Sequence, residues 1–440
     1  MSDHEARAKS DLFTRCAAAL TELGVSARAL ATPIAQFVPG RIEVLGKHTD
    51  YAGGRSLLCA IESGFTVLAE PRHDARIRVV DVLGGDTRAF ELHATLTATR
   101  GDWSNYVATV VRGLARHFPG ARRGADIAFA SDLPPASGMS SSSAMVIATF
   151  LALETVNDLT ADAVYRRVIT SPEALAGYLG AVENGRTFGP LAGDLGVGTL
   201  GGSQDQTAIL CCRAGMLSQY SFCPVRAEGE LSLPADKTFA VAYSGVAASK
   251  TSNALHQYNE ASLAVSEIVS EWNIATTRSD VCLADAVGSE PHAAHRIRAL
   301  LRASASPGFA SQRLLDRFEQ FIAESYDIIP HAAAAFARDD MPALGGLVDR
   351  SQRGAELLLG NQIPETIALA RLAREHGAHA ASAFGAGFGG SVWALVSIER
   401  AHDFLDAWHD AYRQAFPGAE AQSQFFITAP GPGATRLTSP

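Results

Sequence analysis

Alternating and continuous runs of apolar residues divide most of the chain into predicted strands and helices. Short apolar runs predict strands at 42–45, 57–61, 65–69, 76–82, 125–131, 239–243 and 391–396. Apolar positions at helical spacing predict helices at about 6–23, 103–114, 314–336, 341–358 and 364–376. The run 144–153 is apolar on every side, which predicts a buried helix. The segment 429–434 alternates proline and glycine and is expected to be irregular.

Small residues fill the loop between the strand at 125–131 and the helix at 144–153. From Leu133 to Ala144 it reads Leu-Pro-Pro-Ala-Ser-Gly-Met-Ser-Ser-Ser-Ser-Ala. Small side chains let a ligand approach the backbone, and the first amides of a helix lack internal partners at the positive end of its dipole. The pattern predicts an anion site, usually for phosphate, with hydroxyls able to contact phosphate or Mg²⁺. An ordinary serine-rich loop with a helix cap is the competing interpretation.

Two further segments place polar residues or glycines beside apolar runs. Lys47, His48 and Asp50 lie in a turn between a predicted strand and a pair of glycines, which is typical of a binding site but also of a solvated turn. Glycines at 385, 387, 389 and 390 precede the strand 391–396 and permit close contact with a ligand or another loop. In the glycine-rich stretch 182–206, an aspartate is either a buried base or an ordinary first-turn acid.

Length and composition narrow the classes of protein. The chain has 440 residues, 47% of them hydrophobic and 19% charged, which predicts a soluble globular protein of two or three domains. A weaker pattern near 225–234 predicts a boundary between domains 1–230 and 231–440. The net charge of −9 argues against a nucleic-acid partner, and we expect no membrane span. The six cysteines suit neither a zinc site nor a disulfide scaffold, so we expect free thiols in a cytoplasmic protein.

Several of these segments, taken together, resemble the GHMP kinases and, within them, the galactokinases. The matching segments are Gly40–Gly54 (the galactokinase signature), Trp103–Tyr106 (a nucleotide-side helix), Leu133–Ala144 (the phosphate loop), Gly202–Gln206 (the catalytic aspartate) and Gly385–Gly390 (the third motif). They occur in family order, which makes coincidence a minor explanation. The resemblance implies a two-domain α/β fold with the active site in the cleft between the domains. It also implies ATP, Mg²⁺ and phosphorylation of a sugar at its anomeric hydroxyl.

The resemblance also implies residue roles. Asp205 would take or orient the proton of the substrate hydroxyl, with Arg41 beside it and near the γ-phosphate; Asp194 is a weaker candidate acid. Ser142 and Glu183 would be the Mg²⁺ ligands. The implied sugar-binding residues are Lys47, His48, Asp50 and Tyr258. The implied ATP-binding residues are Trp103, Pro135, Ala136, Ser137, Gly138, Met139, Ser140, Ser141, Ser142 and Ser143.

Position 47 departs from the family pattern, because galactokinases usually carry glutamate there. A lysine has only donors, so it would suit a substrate carboxylate such as that of a uronic acid. Alternatively Lys47 points to solvent or pairs with an acid such as Glu43 or Glu62, and the substrate is neutral galactose. A GHMP kinase for a uronic acid, a pentose or another alcohol therefore stays open. An inactive sugar sensor is less favoured, because both the acid and the phosphate loop are present.

Overall fold

The computed structural model describes residues 3–97, 101–134, 137–247, 253–419 and 421–437. Its helices are α1 Asp3–Glu22, α2 Ser104–His117, α3 Ser141–Val156, α4 Ala163–Val168, α5 Pro172–Asn184, α6 Gln204–Cys211, α7 Asn253–Thr276, α8 Leu283–Gly288, α9 Ala293–Arg302, α10 Ser311–Ile322, α11 Ile329–Ala337, α12 Met341–Gly354, α13 Pro364–Glu375 and α14 Ala401–Ala415. Its strands are β1 Ile34–Leu45, β2 Arg55–Pro71, β3 Arg76–Asp81, β4 Asp86–Glu91, β5 Ala125–Ser131, β6 Met216–Ser221, β7 Arg226–Ser232, β8 Lys237–Tyr243, β9 Ala380–Phe384, β10 Ser391–Ser397, β11 Gln424–Thr428, β12 Pro430–Gly431 and β13 Thr435–Leu437.

The apolar pattern predicted about half of these elements. The alternating run 125–131 is β5, and the all-apolar run 144–153 lies in α3, where every residue from 143 to 154 is buried. The predicted strands at 57–61 and 65–69 are one long strand, β2. The predicted helix at 314–336 is α10 and α11 joined by a π-helical segment, Ala323–Ile328. The pattern therefore located these elements but neither their exact ends, which depend on packing, nor helices α4 to α9 and α14.

A large mixed sheet organises the first half of the chain. Its strands run in the order β13-β1-β2-β5-β3-β4, and β6 and β7 extend it from one end of β2. Neighbouring strands are antiparallel except β3 and β5, which are parallel. Helix α1 covers one face through Cys16 and Leu20, and the helices that follow β4 cover the other. One face of α3 packs on β1 and β2, which fixes the loop that precedes α3 above the sheet.

A smaller antiparallel sheet and a helical layer organise the second half. The order of the smaller sheet is β11-β8-β10-β9, and α13 and α14 pack on it around Trp408 and Tyr412. Helices α7, α8, α9 and α10 form a separate apolar cluster that also takes in Tyr51 and Ala52 from the first half. The turn after β1 is therefore held by helices that lie more than two hundred residues later in the chain.

The end of the described chain corrects one prediction. The segment 429–434 is not irregular throughout, because Pro430 and Gly431 form β12, which pairs with β2. Strand β13 follows and pairs with β1 at Phe37 and Thr435. Strands this short contain too few residues for an alternating pattern. Among the described residues, no helix combines the length and apolar character needed to cross a bilayer.

Candidate active site

A cleft of about 430 Å³ collects residues from both halves of the chain. Its walls come from the turn after β1, the start of α2, the serine loop, the end of α5, the start of α6, helix α7 and the glycine loop 385–390. The predicted site residues that line it are Arg41, His48, Asp50, Trp103, Gly138, Ser140, Ser141, Ser142, Ser143, Glu183, Asp205 and Tyr258. Ser137 and Met139 are buried within the loop behind it. Pro135 and Ala136 fall outside the described residues.

An arginine–aspartate pair lies at the centre of the cleft. Nε of Arg41 donates to Oδ1 of Asp205 at 2.8 Å, and Nη1 donates to the carbonyl of Gly138 at 2.6 Å. Arg41 is 3% exposed, whereas the Asp205 side chain is 26% exposed. The buried guanidinium thus holds an accessible carboxylate beside the serine loop. A cation at this distance favours the ionised form of a carboxylate.

The serine loop joins β5 to α3 through an unusual backbone. Ser140 has a φ of 62°, in the left-handed region, and directly precedes the first helical residue, Ser141. The hydroxyl of Ser391 donates to the carbonyl of Ser137 at 2.7 Å, which ties the loop to β10. A Cβ on Gly385, whose φ is 81°, would lie 2.8 Å from the carbonyl oxygen of Gly138. The glycine loop therefore packs on the serine loop where a larger residue would not fit.

A carboxylate and a hydroxyl meet at the start of α3. Oε2 of Glu183 accepts from the Ser143 hydroxyl at 2.9 Å and from Nε2 of Gln206 at 2.6 Å. The contact thus involves Ser143, one residue after the serine that the resemblance implied, and Ser142 lines the cleft beside it. Among the described residues, no cluster of three or more His, Cys, Asp or Glu could hold a metal ion. Mg²⁺ needs no such cluster, because it binds through one or two carboxylates together with phosphate oxygens and water.

The polar turn after β1 faces the same cleft with an ordered network. Nδ1 of His48 lies 2.9 Å from the Tyr51 hydroxyl, and Nε2 lies 3.0 Å from the carbonyl of Ala386. Burial lowers the pKa of His48 to about 4, so the ring is neutral at pH 7. The Tyr258 ring from α7 lies 5.2 Å from the His48 ring, between centroids. The polar side chains of His48 and Tyr51 thus share the cleft with the aromatic ring of Tyr258.

Asp50 is placed by the beginning of α6. Its Oδ2 accepts from the backbone N–H of Gln204 at 3.1 Å. A Cβ on Gly202 would lie 2.4 Å from the same oxygen, so only glycine allows this approach. Burial raises the pKa of Asp50 above its usual value. The segment that carries Asp205 therefore also fixes the carboxylate of the turn.

Lys47 does not line the cleft, which corrects the expectation that its side chain faces a substrate. The residue is 1% exposed, and Nζ donates to the hydroxyls of Ser382 at 2.7 Å and Ser351 at 3.1 Å. The Ser351 hydroxyl in turn donates to Glu324 at 2.9 Å. A buried ammonium needs partners of this kind, and β9, α12 and the π-helical segment supply them. The side chain thus reaches neither solvent nor the cleft.

The glycine-rich stretch separates the two candidate acids. Asp194 forms ion pairs with Arg112 and Arg116 of α2, the second at 2.9 Å, and it does not line the cleft. Asp205 lies in the first turn of α6 and lines the cleft. Between them, the backbone folds back over the end of α5, with the amide of Val197 bonded to the carbonyl of Glu183 at 2.8 Å. The geometry therefore favours Asp205 as the acid of the site.

Trp103 and Glu43 complete the walls of the cleft. Trp103 directly precedes α2 and packs edge to face on Phe129, with ring centroids 5.5 Å apart. The sequence reasoning missed Glu43, whose Oε2 accepts from Nε2 of Gln204 at 2.6 Å. Desolvation raises the pKa of Glu43 to about 7. The sequence did contain a signal for Glu43, because it lies on β1 two residues after Arg41. Alternate residues of a strand share one face, so Glu43 could have been expected beside Arg41.

Comparisons with known proteins agree with this architecture. The galactokinase galactose-binding signature matches residues 29–71, the GHMP kinase N-terminal domain matches 105–184 and the GHMP kinase C-terminal domain matches 332–414. The galactokinase of Glaesserella parasuis serovar 5 is 40% identical over 111 residues, 25% of this chain and 29% of that protein. The galactokinase of Actinobacillus pleuropneumoniae serotype 3 is 31% identical over 181 residues, 40% of this chain and 44% of that protein. The chain thus matches less than half the length of these relatives.

Solved structures extend the likeness to nearly the whole chain. Galactokinase from Lactococcus lactis, complexed with galactose, has a TM-score of 0.75 at 22% identity, covering 92% of this chain and 95% of that one. Mevalonate kinase from Methanococcus jannaschii has a TM-score of 0.53 at 14% identity, covering 90% and 98%. At these sequence identities, the structural similarity shows that the chain shares the fold of these proteins. The galactose-binding signature and the two GHMP kinase domains thus match successive parts of the chain, and the GHMP kinases are the family that it resembles.

Proposed function

We propose that the protein is an ATP-dependent kinase that phosphorylates the anomeric hydroxyl of galactose. The observation that carries this proposal is the Arg41–Asp205 pair, at 2.8 Å, within one cleft that also contains the serine loop and the polar turn. The match to the galactose-binding signature supports galactose as the sugar. The matched kinase domains support ATP as the phosphate donor.

The residues suggest how the transfer proceeds. Asp205 takes or orients the proton of the anomeric hydroxyl, whose oxygen attacks the terminal phosphorus of ATP as ADP leaves. Arg41 keeps Asp205 ionised and adds positive charge next to the serine loop. The backbone amides at the start of α3 bind phosphate oxygens at the positive end of the helix dipole. Positioning and charge neutralisation supply most of the catalysis in such reactions.

We propose Glu183 and Ser143 as the protein ligands of a magnesium ion. Both offer hard oxygen donors, and the serine hydroxyl lies 2.9 Å from the carboxylate. The ion would neutralise charge on the phosphates of ATP. Ser142 is the neighbouring alternative, because it lines the cleft in the same helical turn.

The sugar would lie against the polar turn. His48, Asp50 and Tyr258 line this part of the cleft, whereas the side chain of Lys47 points elsewhere. This placement favours a neutral sugar over a uronic acid. We also propose that residues 1–230 and 231–440 form the two domains that bound the cleft, with β12 and β13 returning to the first. Six free cysteines and the use of ATP favour the cytoplasm as the place of action.

The test is ADP release by the purified protein with Mg²⁺, ATP and a panel of acceptors. The panel contains galactose, glucose, arabinose, galacturonate, glucuronate and glycerol. We expect galactose to give the highest kcat/KM. If another compound of the panel gives the highest kcat/KM, that compound replaces galactose as the proposed substrate. Galactose binding without turnover of any acceptor would favour a sensor.

A further inference from the structure

One face of the helix α10 and the π-helical segment after it is polar and fully buried. Arg317, Gln320 and Glu324 lie three and four residues apart, and none is more than 3% exposed. At that spacing, side chains project from the same side of a helix. All three contact the backbone of the turn after β1. Glu324 accepts from the amide of Gly46 at 2.8 Å, and Nε2 of Gln320 donates to the carbonyl of Lys47 at 3.1 Å.

Arg317 makes the most contacts of the three. Nη2 donates to the carbonyl of His48 and, at 3.3 Å, to the hydroxyl oxygen of Tyr51. Nη1 donates to Oε1 of Gln320 at 2.6 Å, and Nε donates to the carbonyl of Ala261 at 3.4 Å. Within the described residues, no carboxylate lies within ion-pair distance of this guanidinium. A buried charge is costly unless polar groups compensate it, and here two of the four acceptors named belong to the turn.

The hydrogen bonds that run from Arg317 through Tyr51 and His48 to Ala386 all have the same donor-to-acceptor direction. Arginine has only donors, so the oxygen of Tyr51 accepts from Arg317 and its proton is free to point at Nδ1 of His48, at 2.9 Å. Nδ1 is then an acceptor, and the ring proton resides on Nε2, which donates to the carbonyl of Ala386 at 3.0 Å. The carbonyl of Ala386 can only accept, so it places the ring proton on Nε2, and the donor Arg317 orients the Tyr51 hydroxyl so that its proton completes the contact at Nδ1.

The same guanidinium fixes the backbone of the turn. His48 has a φ of 57°, in the left-handed region that residues with a side chain rarely adopt. A conformation of this kind persists only when surrounding contacts hold it. The bond from Arg317 to the carbonyl of His48 is one such contact, and it comes from a helix 269 residues later in the chain.

We propose that Arg317 is a positioning residue for sugar binding, which acts by fixing the backbone of His48 and the orientation of the Tyr51 hydroxyl that contacts its ring. Gln320 and Glu324 bind the backbone of the two preceding residues, Lys47 and Gly46, so α10 and its extension hold three consecutive residues of the turn. This inference rests on the proposed function in one respect, because it takes the turn to be the sugar site. The tautomer of His48 can be measured without any activity.

The experiment compares Arg317→Met and Arg317→Lys with the wild type. The control is Arg313→Met, one turn earlier on α10, whose guanidinium donates to the carbonyls of Leu358 and Leu359 rather than to the turn. Two quantities are measured. The first is KM for galactose and for ATP together with kcat, and the second is the ¹⁵N NMR spectrum of the His48 ring, assigned with His48→Gln.

We expect Arg317→Met to raise KM for galactose about tenfold or more, to lower kcat less, and to leave KM for ATP within about twofold. Its His48 ring should lose the single Nε2-protonated signature, because a turn without the bond from Arg317 no longer keeps Nε2 against the carbonyl of Ala386. Arg317→Lys keeps a donor near the carbonyl of His48, so it should recover part of the galactose affinity; if the methionine variant does not fold, the lysine variant decides. Arg313→Met should match the wild type in both measurements.

Two results would overturn the inference. One is an unchanged tautomer in the Arg317 variants with an unchanged KM for galactose. The other is an equal rise in KM for both substrates, which a general loss of structure would cause. If the wild type phosphorylates no sugar, the proposed function fails, while the NMR spectrum still decides whether Arg317 holds the His48 ring in place.

Discussion

Replacing Asp205 by asparagine removes a charge from the cleft and changes little else. The amide is nearly the same size and can still accept from Nε of Arg41, which lies 2.8 Å from the carboxylate. It cannot take a proton from a sugar hydroxyl. Loss of a general base typically costs a factor of about 10² to 10⁴, or roughly 3–5 kcal/mol in the activation free energy. We therefore expect kcat to fall by at least about a hundredfold.

The free energy of unfolding should change much less. Arg41 is buried, so the loss of its ionic partner has a cost, but the Asp205 side chain is 26% exposed and water screens the pair. Breaking a fully buried pair costs about 3–5 kcal/mol and an exposed pair at most about 1 kcal/mol. An intermediate loss of about 1–2 kcal/mol follows. Thermal unfolding should show a small decrease in Tm.

The chain contains a matched control for this variant. Asp194 is also 26% exposed and also pairs with a buried arginine, Arg112, but it lies outside the cleft. Asp194→Asn should show a similar decrease in Tm with kcat within about threefold of the wild type. Both variants are assayed by coupled ADP release and by calorimetry with galactose. If Asp194→Asn is the inactive variant and Asp205→Asn is active, the assignment of the acid is refuted.

Three further predictions follow from the site. Ser143→Ala should raise the Mg²⁺ concentration needed for half-maximal turnover more than Ser142→Ala does, because Ser143 contacts Glu183. If a Mg²⁺ titration shows the larger increase for Ser142→Ala, Ser142 is the metal ligand instead. Lys47→Met should leave the preference for galactose over galacturonate unchanged, because the ammonium lies outside the cleft; a fall in kcat/KM for galacturonate relative to galactose would contradict this. Glu43→Gln should flatten part of the pH dependence of stability. Burial raises the pKa of Glu43 from 4.5 to about 7. Between these two pH values the folded state holds a proton that the unfolded state has lost. The free energy of unfolding of the wild type therefore falls by roughly 3 kcal/mol as the pH rises through this window. Denaturant unfolding of both proteins from pH 4.5 to 8 measures the difference, and parallel curves would contradict the assignment.

The sequence was sufficient to predict those elements whose apolar pattern is contained in a short segment of the chain. The alternation in 125–131 predicted β5, and the apolar run 144–153 predicted a fully buried α3, because burial on one or all sides leaves a direct pattern. The position of the serine loop followed from these two elements. The contact between Arg41 and Asp205 was implied by the family resemblance and not by a local pattern, and the structure places the two side chains in contact.

The remaining details depend on partners that are distant in the chain. The direction of Lys47 is set by Ser351 and Ser382, more than three hundred residues later. Adjacent serines of a helix turn differ by about 100° in direction, so a one-residue choice between Ser142 and Ser143 needs the position of Glu183. A polar face such as that of Arg317 would be interpreted as solvated from the sequence alone, although it is buried.

The central claim is the transfer of phosphate to the anomeric oxygen of galactose, and the product shows this most directly. A two-dimensional ¹H–³¹P correlation spectrum of the reaction mixture identifies the proton nearest the new phosphate. The account predicts a correlation to the anomeric proton of galactose, present with the wild type and absent with Asp205→Asn over the same time. A correlation to any other sugar proton, or none with the wild type while ATP and galactose are both bound, would contradict it.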